Sequence, residues 1–144
     1  RQDTYYAKPD KIENKWWIID AKGQILGRIA SQVASIVRGK NKVDFTPSMD
    51  VGDFVVIINA EQIKGTGNKE EDKIYYRHSG YPGGLKAIAY KDLMKKDPTE
   101  VLFKAIKGML PKNKLGRKLH SKVKIYCGEK HPHEAQLPEK LELN

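Results

Sequence analysis

Between Val101 and Cys127 stand Lys104, Lys107, Lys112, Lys114, Arg117, Lys118, Lys122 and Lys124, with no Asp or Glu among them. Like charges repel, and an ordinary solvated face relieves this by mixing signs. A run without that relief points to a polyanionic partner, with Lys and Arg neutralising phosphates and releasing their counterions. A second basic group, Arg38, Lys40 and Lys42, surrounds Gly39. A third lies among aromatics in Tyr75-Tyr76-Arg77-His78-Ser79-Gly80-Tyr81-Pro82-Gly83-Gly84. Arg77, His78 and Tyr81 beside glycines suit an RNA surface, where rings stack on exposed bases and backbone approaches closely. The same residues equally describe an ordinary hairpin loop with a Tyr-rich strand. The candidate RNA-binding residues are therefore Arg38, Lys40, Lys42, Arg77, His78, Tyr81, Lys104, Lys107, Lys112, Lys114, Arg117, Lys118 and Lys122. Of these, Lys112, Lys114, Arg117 and Lys118 are expected to form one contact surface around Pro111. Arg38, Arg77 and Arg117 are the ones expected to fix orientation, because a guanidinium forks onto phosphate oxygens.

Other chemistries find less support. Gly65-Thr66-Gly67 lacks the third glycine of a dinucleotide loop; that position holds Glu70. Gly23 and Gly27 do sit between a predicted strand and helix, but four residues apart, and no Walker-type loop occurs. His131-Pro132-His133 is two ligands short of a tetrahedral metal site and reads as surface imidazoles in the tail. Cys127 has no His–acid pairing nearby in sequence and reads as a small apolar residue. Trp16 and Trp17 read as packing residues rather than base-stacking platforms. Neither a catalytic constellation nor a cofactor or metal site is expected.

The elements that position the basic groups are legible in part. Trp16–Ile19 and Phe54–Ile58 are continuous apolar runs, as buried strands have. From about Ile25 to Arg38, the residues Leu26, Ile29, Ala30, Val33 and Val37 recur at helical spacing, and Gly39 stands where a C′ glycine ends a helix. Strand, helix, strand predicts a parallel crossover. Lys73–His78 and Leu85–Tyr90 predict two strands of a hairpin. Asp97, Pro98 and Glu100 predict a helix start with a reciprocal cap, and the helix runs to about Leu110 with Leu102, Ala105, Ile106 and Met109 on its buried face. Pro111 stops it. Lys112–Ser121 reads as a second short helix, and Val123–Tyr126 alternates like a strand. Residues 1–14 read as an extended arm, and residues 128–144 as a tail over the surface. The fold class is thus α/β: a single domain over residues 1–144 with a mixed, mostly parallel sheet, a strand–helix–strand crossover, flanking helices, basic loops and extended termini.

Length and composition agree. The 144 residues suit one domain. One Cys excludes an internal disulfide framework. The longest apolar runs fall far short of the ~20 residues a bilayer helix needs. No basic-plus-apolar leader is legible, so secretion is not expected. The net charge of +9 is uneven. Residues 1–50 carry nine cationic and six anionic side chains, residues 51–100 eight of each, and residues 101–144 ten and four.

These residues also resemble a known family. Ile106-Lys107-Gly108-Met109-Leu110-Pro111, then Gly116-Arg117, then Val123-Lys124-Ile125-Tyr126, are similar to the signature of the ribosomal large-subunit protein L-thirteen family, bacterial type. Further blocks agree in order: Trp16 to Ala21, Leu26 to Ala30, Gly39-Lys40, Asp53 to Asn59, and Tyr76 to Gly84. The likeness covers roughly residues 5–143. It implies one α/β domain and an early-assembling structural component of the large subunit, cytoplasmic and ribosome-bound. Such a component touches large-subunit ribosomal RNA and neighbouring ribosomal proteins. The likeness implies no catalysis, no cofactor, no membrane and no small-molecule substrate. Two other functions remain open on the residues themselves: a free-standing RNA-binding regulator, and a small nucleotide-handling enzyme.

Overall fold

Two apolar runs form the centre of a parallel sheet. In the computed structural model, which describes residues 3–143, Trp16–Asp20 (β1) and Phe54–Ile58 (β2) pair in parallel, from Trp16↔Phe54 to Asp20↔Ile58. The helix Leu26–Arg38 (α1) makes the crossover. Its apolar stripe is buried as the spacing predicts. It ends at Gly39, whose φ of 85° is left-handed; its N–H donates to the carbonyls of Ser35 and Ile36. A Cβ there would also press on Val51.

Lys69–Asp72 (α2) is a single polar turn of helix with none of its residues buried. Ile74–His78 (β3) and Leu85–Ala89 (β4) form the predicted antiparallel hairpin, separate from the parallel sheet. Tyr90–Lys96 (α3) follows directly, anchored by buried Tyr90 and Leu93. Pro98–Met109 (α4) starts as predicted at Asp97, whose side chain accepts from the Thr99 N–H at 3.1 Å. The reciprocal half of that cap is absent: Glu100 instead pairs with Lys104 at 2.9 Å. Val101, Leu102 and Ile106 are buried, whereas Met109, expected on this face, is exposed.

Lys114–Ser121 (α5) is capped by Asn113, which accepts from the Gly116 N–H at 2.8 Å. Val123–Ile125 (β5) lies beside β2. The tail does more than cross the surface: Glu139–Lys140 (β6) pairs with β1 through Trp17↔Glu139 and Ile18↔Lys140. The sheet order is β5-β2-β1-β6, all parallel.

Strand side chains alternate between faces. Trp17, Ile19, Val55, Ile57, Val123 and Ile125 join the core that α1 and α4 complete. Trp16, Phe54 and Tyr126 fall on the opposite face, and the tail covers it. Trp16 stacks on Phe54 with centroids 4.5 Å apart. The ring of His133 lies 5.2 Å from Trp16, and its Nε2 shares a 2.6 Å hydrogen bond with the Tyr126 hydroxyl. Layers on both faces explain why β1 and β2 read as continuous apolar runs.

Candidate nucleic-acid interface

The α4–α5 joint concentrates positive charge. Pro111 ends α4, and α5 folds back closely enough that a Cβ on Gly116 would overlap the Pro111 carbonyl oxygen. The cleft between them encloses about 620 Å³ and is lined by Lys104, Lys107, Lys112 and Arg117, with Gly108, Pro111, Asn113 and His120. Lys114 and Lys118 are exposed on the same short helix. So Lys112 and Arg117 do meet at Pro111, with Lys114 and Lys118 on the adjoining surface. His120 was not singled out in sequence. Its ring is half-buried and edge-on to Phe103 at 5.6 Å. Burial first, then the nearby Lys107 and Arg117, holds its pKa below the ordinary 6.5.

The hairpin adjoins this cleft. A smaller groove of about 260 Å³ is lined by Tyr75, Arg77, Lys86, Lys96, Glu100 and Lys104, among others. Lys104 borders both hollows, and its Nζ sits 5.1 Å from the centroid of the Tyr75 ring. Among the described residues lining the two hollows, Glu100 is the one carboxylate. Lys86 and Lys96 escaped the sequence reading. The available signal was register: Arg77 and Lys86 face each other across the hairpin, a like-charge pair that destabilises unless a counter-charge lies against it. Arg77, His78 and Tyr81 are all exposed, Tyr81 at 76 %. The His78 Nδ1 accepts from the Gly80 N–H at 2.9 Å, which fixes the ring on the loop.

Two of the lysines expected to bind RNA, Lys122 and Lys42, hold partners within the protein. The Lys122 Nζ donates to Asp50 Oδ1 at 2.6 Å and to the Gly52 carbonyl at 3.0 Å, 5.0 Å from the Phe54 ring centroid, and only 6 % of the residue is exposed. The Lys42 Nζ donates to the carbonyls of Glu13 (2.6 Å) and Val51 (2.7 Å) and pairs with Asp53 at 2.8 Å. Both ammoniums are occupied by the protein itself. Asp53 in turn accepts from the Lys15 N–H at 3.0 Å and the Trp17 indole at 2.9 Å. Burial works to raise the Asp53 carboxyl, and the Lys15, Lys42 and Trp17 donors outweigh it, holding the pKa below 3.8. Of the Gly39 group, Lys40 is exposed, while Arg38 is half-buried with its Nε lacking a hydrogen-bond partner.

An α/β sheet usually takes a ligand outside the carboxyl ends of its strands, and here several backbone donors at that place are already engaged. The Leu26 N–H at the start of α1 donates to the Lys64 carbonyl at 2.9 Å, and the Asn59 and Ala60 N–H groups donate to Gly128 and Tyr126. Asp20 accepts from the Asn59 amide at 2.9 Å. Cys127, read from sequence as a small apolar residue, is exposed; partial desolvation of its thiol, then nearby Glu61 and Asp97, raises its pKa. His131 and His133 belong to the tail's own stacking, and among the described residues no group of three or more His, Cys, Asp or Glu is placed to hold a metal ion. Among the same residues, no helix is long and apolar enough to cross a membrane.

What fold and surface define is a small α/β scaffold protein that displays fixed cations rather than an acid–base pocket. Comparison with known proteins agrees. The chain belongs to the ribosomal protein L13 family, whose model matches residues 14–132, and which is a family of structural proteins rather than enzymes. It is 60 % identical over 136 residues to the large ribosomal subunit protein uL13 of Carboxydothermus hydrogenoformans, covering 94 % of this chain and 95 % of that one. Identity to the uL13 of Symbiobacterium thermophilum is 56 % over 140 residues, 97 % of this chain and 98 % of the relative. The uL13 of Coxiella burnetii is 54 % identical over 140 residues, 97 % and 99 %.

Proposed function

We propose that this chain is a structural constituent of the large ribosomal subunit, ribosome-bound in the cytoplasm. It binds large-subunit ribosomal RNA through one basic face, lies beside neighbouring ribosomal proteins and supports early assembly of the subunit. One observation carries the reading: Arg77, Lys86, Lys96, Lys104, Lys107, Lys112 and Arg117 line two adjoining hollows that share Lys104 and hold one carboxylate. Lys40, His78, Tyr81, Lys114 and Lys118, all exposed, and the half-buried Arg38 complete the proposed set of contacts. The whole chain acts as one RNA-binding domain. Its relatives' names, large ribosomal subunit proteins, support the particle assigned.

Affinity comes mainly from counterion release, and orientation from the Arg forks. Duplex RNA hides its base edges, so recognition of duplex segments rests on shape and backbone. If about five exposed cations meet phosphates, log affinity falls against log salt with a slope on the order of −4, a few hundred-fold between ~50 and ~200 mM. The test is a salt titration of the full chain with a large-subunit RNA fragment, alongside sedimentation from extract. A slope near zero, or failure to travel with large subunits, overturns the assignment.

A further inference from the structure

Phosphates alone need no apolar hollow. Resting on the reading that this face meets RNA, we propose that the α4–α5 cleft is a socket for one unstacked nucleotide of that RNA, its base inside and its phosphates on the rim. At about 620 Å³ the cleft falls within the ~300–1,000 Å³ range of small-molecule sites. Its lining is mostly carbon, from Gly108, Pro111, the His120 ring and the stems of the basic side chains. The rim is cationic: Lys107, Lys112 and Arg117 have no carboxylate partner among the described residues.

An apolar interior with an anion-seeking edge matches a nucleotide, which carries a flat π face and a phosphate on one rigid unit. A stacked duplex offers only the phosphates and leaves the hollow unfilled. An acidic peptide satisfies the rim and brings no flat apolar group. The His120 ring is already held edge-on by Phe103, so a base stacking on it immobilises nothing new. Its pKa, lowered by burial, Lys107 and Arg117, keeps the ring neutral near pH 7, a stacking surface rather than a further cation. The tight approach of Gly116 to the Pro111 carbonyl sets α5 against α4, so the hollow exists before any ligand arrives.

The test uses the full chain, with NMR of the His120 ring and two probes, a short single-stranded oligoadenylate and a blunt RNA duplex. The oligoadenylate is expected to bind and move the His120 ring signals upfield, while the duplex binds and leaves them in place. Gly108→Leu plugs the hollow without removing a charge. Nothing lies within 4 Å of a Cβ at that position, and Leu favours the helix over Gly, so the variant is expected to melt no lower than the parent. It is expected to bind the oligoadenylate about tenfold more weakly, the scale of one lost base–aromatic stack. Unchanged oligoadenylate affinity in Gly108→Leu, a silent His120 with bound oligoadenylate, or equal His120 shifts from the duplex each overturn the socket and leave the RNA-binding reading standing. Equal shifts from an acidic peptide make the cleft a general anion site and also overturn it. Failure of the parent chain to bind either RNA overturns both readings together.

Discussion

Lys122 separates a charge that holds the fold from those proposed to meet RNA, although all sit in the same unbroken basic run. Its Nζ bridges Asp50 and the Gly52 carbonyl beneath the Phe54 ring. Lys122→Met keeps the stem and removes the ammonium. The Gly52 carbonyl then loses its donor in a buried setting, and Asp50 loses its counter-charge. A fully buried broken pair costs about 3–5 kcal/mol. The Asp50 side chain keeps 30 % of its surface in water and can rehydrate, which lowers the expected loss to about 2–3 kcal/mol. For a chain of this size that is a fall of roughly 5–10 °C in the unfolding temperature. The salt slope of RNA binding, measured below the transition, is expected to stay as in the parent. Lys118→Met, at an exposed position on α5, is the mirror case: an unchanged melt, and a slope shallower by about 0.9 if Lys118 meets one phosphate. Thermal unfolding by circular dichroism and RNA titration at several salt concentrations decide the matter. A Lys122→Met protein that melts normally and loses salt dependence would refute the structural assignment of this lysine.

Changing Lys112, Lys114, Arg117 and Lys118 together to Gln is expected to make the salt slope shallower by about 3–4 if all four meet phosphates. Each such surface change alters stability by no more than about 0.5 kcal/mol, so a folded variant with unaltered affinity rejects the contact surface. The Asp53 carboxyl is held below its ordinary pKa in the folded chain, so its contribution to stability is complete above that value and lost as pH falls through the folded one. Asp53→Asn is expected to be less stable than the parent by a constant margin at neutral pH, a margin that shrinks below about pH 4 in urea unfolding curves. A margin independent of pH down to the acid limit would contradict this. Gly116→Ala puts a methyl group into the Pro111 carbonyl and is expected to cost about 1–3 kcal/mol; an unaffected midpoint in denaturant means that the α4–α5 approach is looser than described.

The central elements were legible because each carries its burial in its spacing. The apolar stripe of α1 and the runs of β1 and β2 admit one reading, and Asp97-Pro98 announces α4 whatever surrounds it. The elements that stayed hidden are those that neighbours create. α2 is Lys-Glu-Glu-Asp with nothing buried, and α3 holds by two residues, Tyr90 and Leu93. β6 is Glu139-Lys140, two exposed polar residues with no strand pattern of their own. Four members of the basic run from Val101 onward, Lys104, Lys107, Lys112 and Arg117, line one cleft, yet charge counting cannot rank the run's members. Lys122 meets Asp50 from 72 residues away, a pairing visible only once β5 lies beside β2. Lys86 and Lys96 stand in a stretch of zero net charge and enter the surface only because the hairpin and α4 share a groove.

Because Glu139–Lys140 pairs with Trp17–Ile18 while β2 takes the other side of β1, the outer edge of β1 has no neighbour until residues 139–140 have been made. At ~5–20 residues per second, the unprotected edge persists for roughly 6–24 s on each new copy. During that interval the flat Trp-rich ribbon is a template for pairing with other nascent chains. Losing residues 139–140 would make that transient hazard permanent, so truncation ahead of Glu139 is expected to show first as aggregation during expression rather than as weakened attachment to nucleic acid.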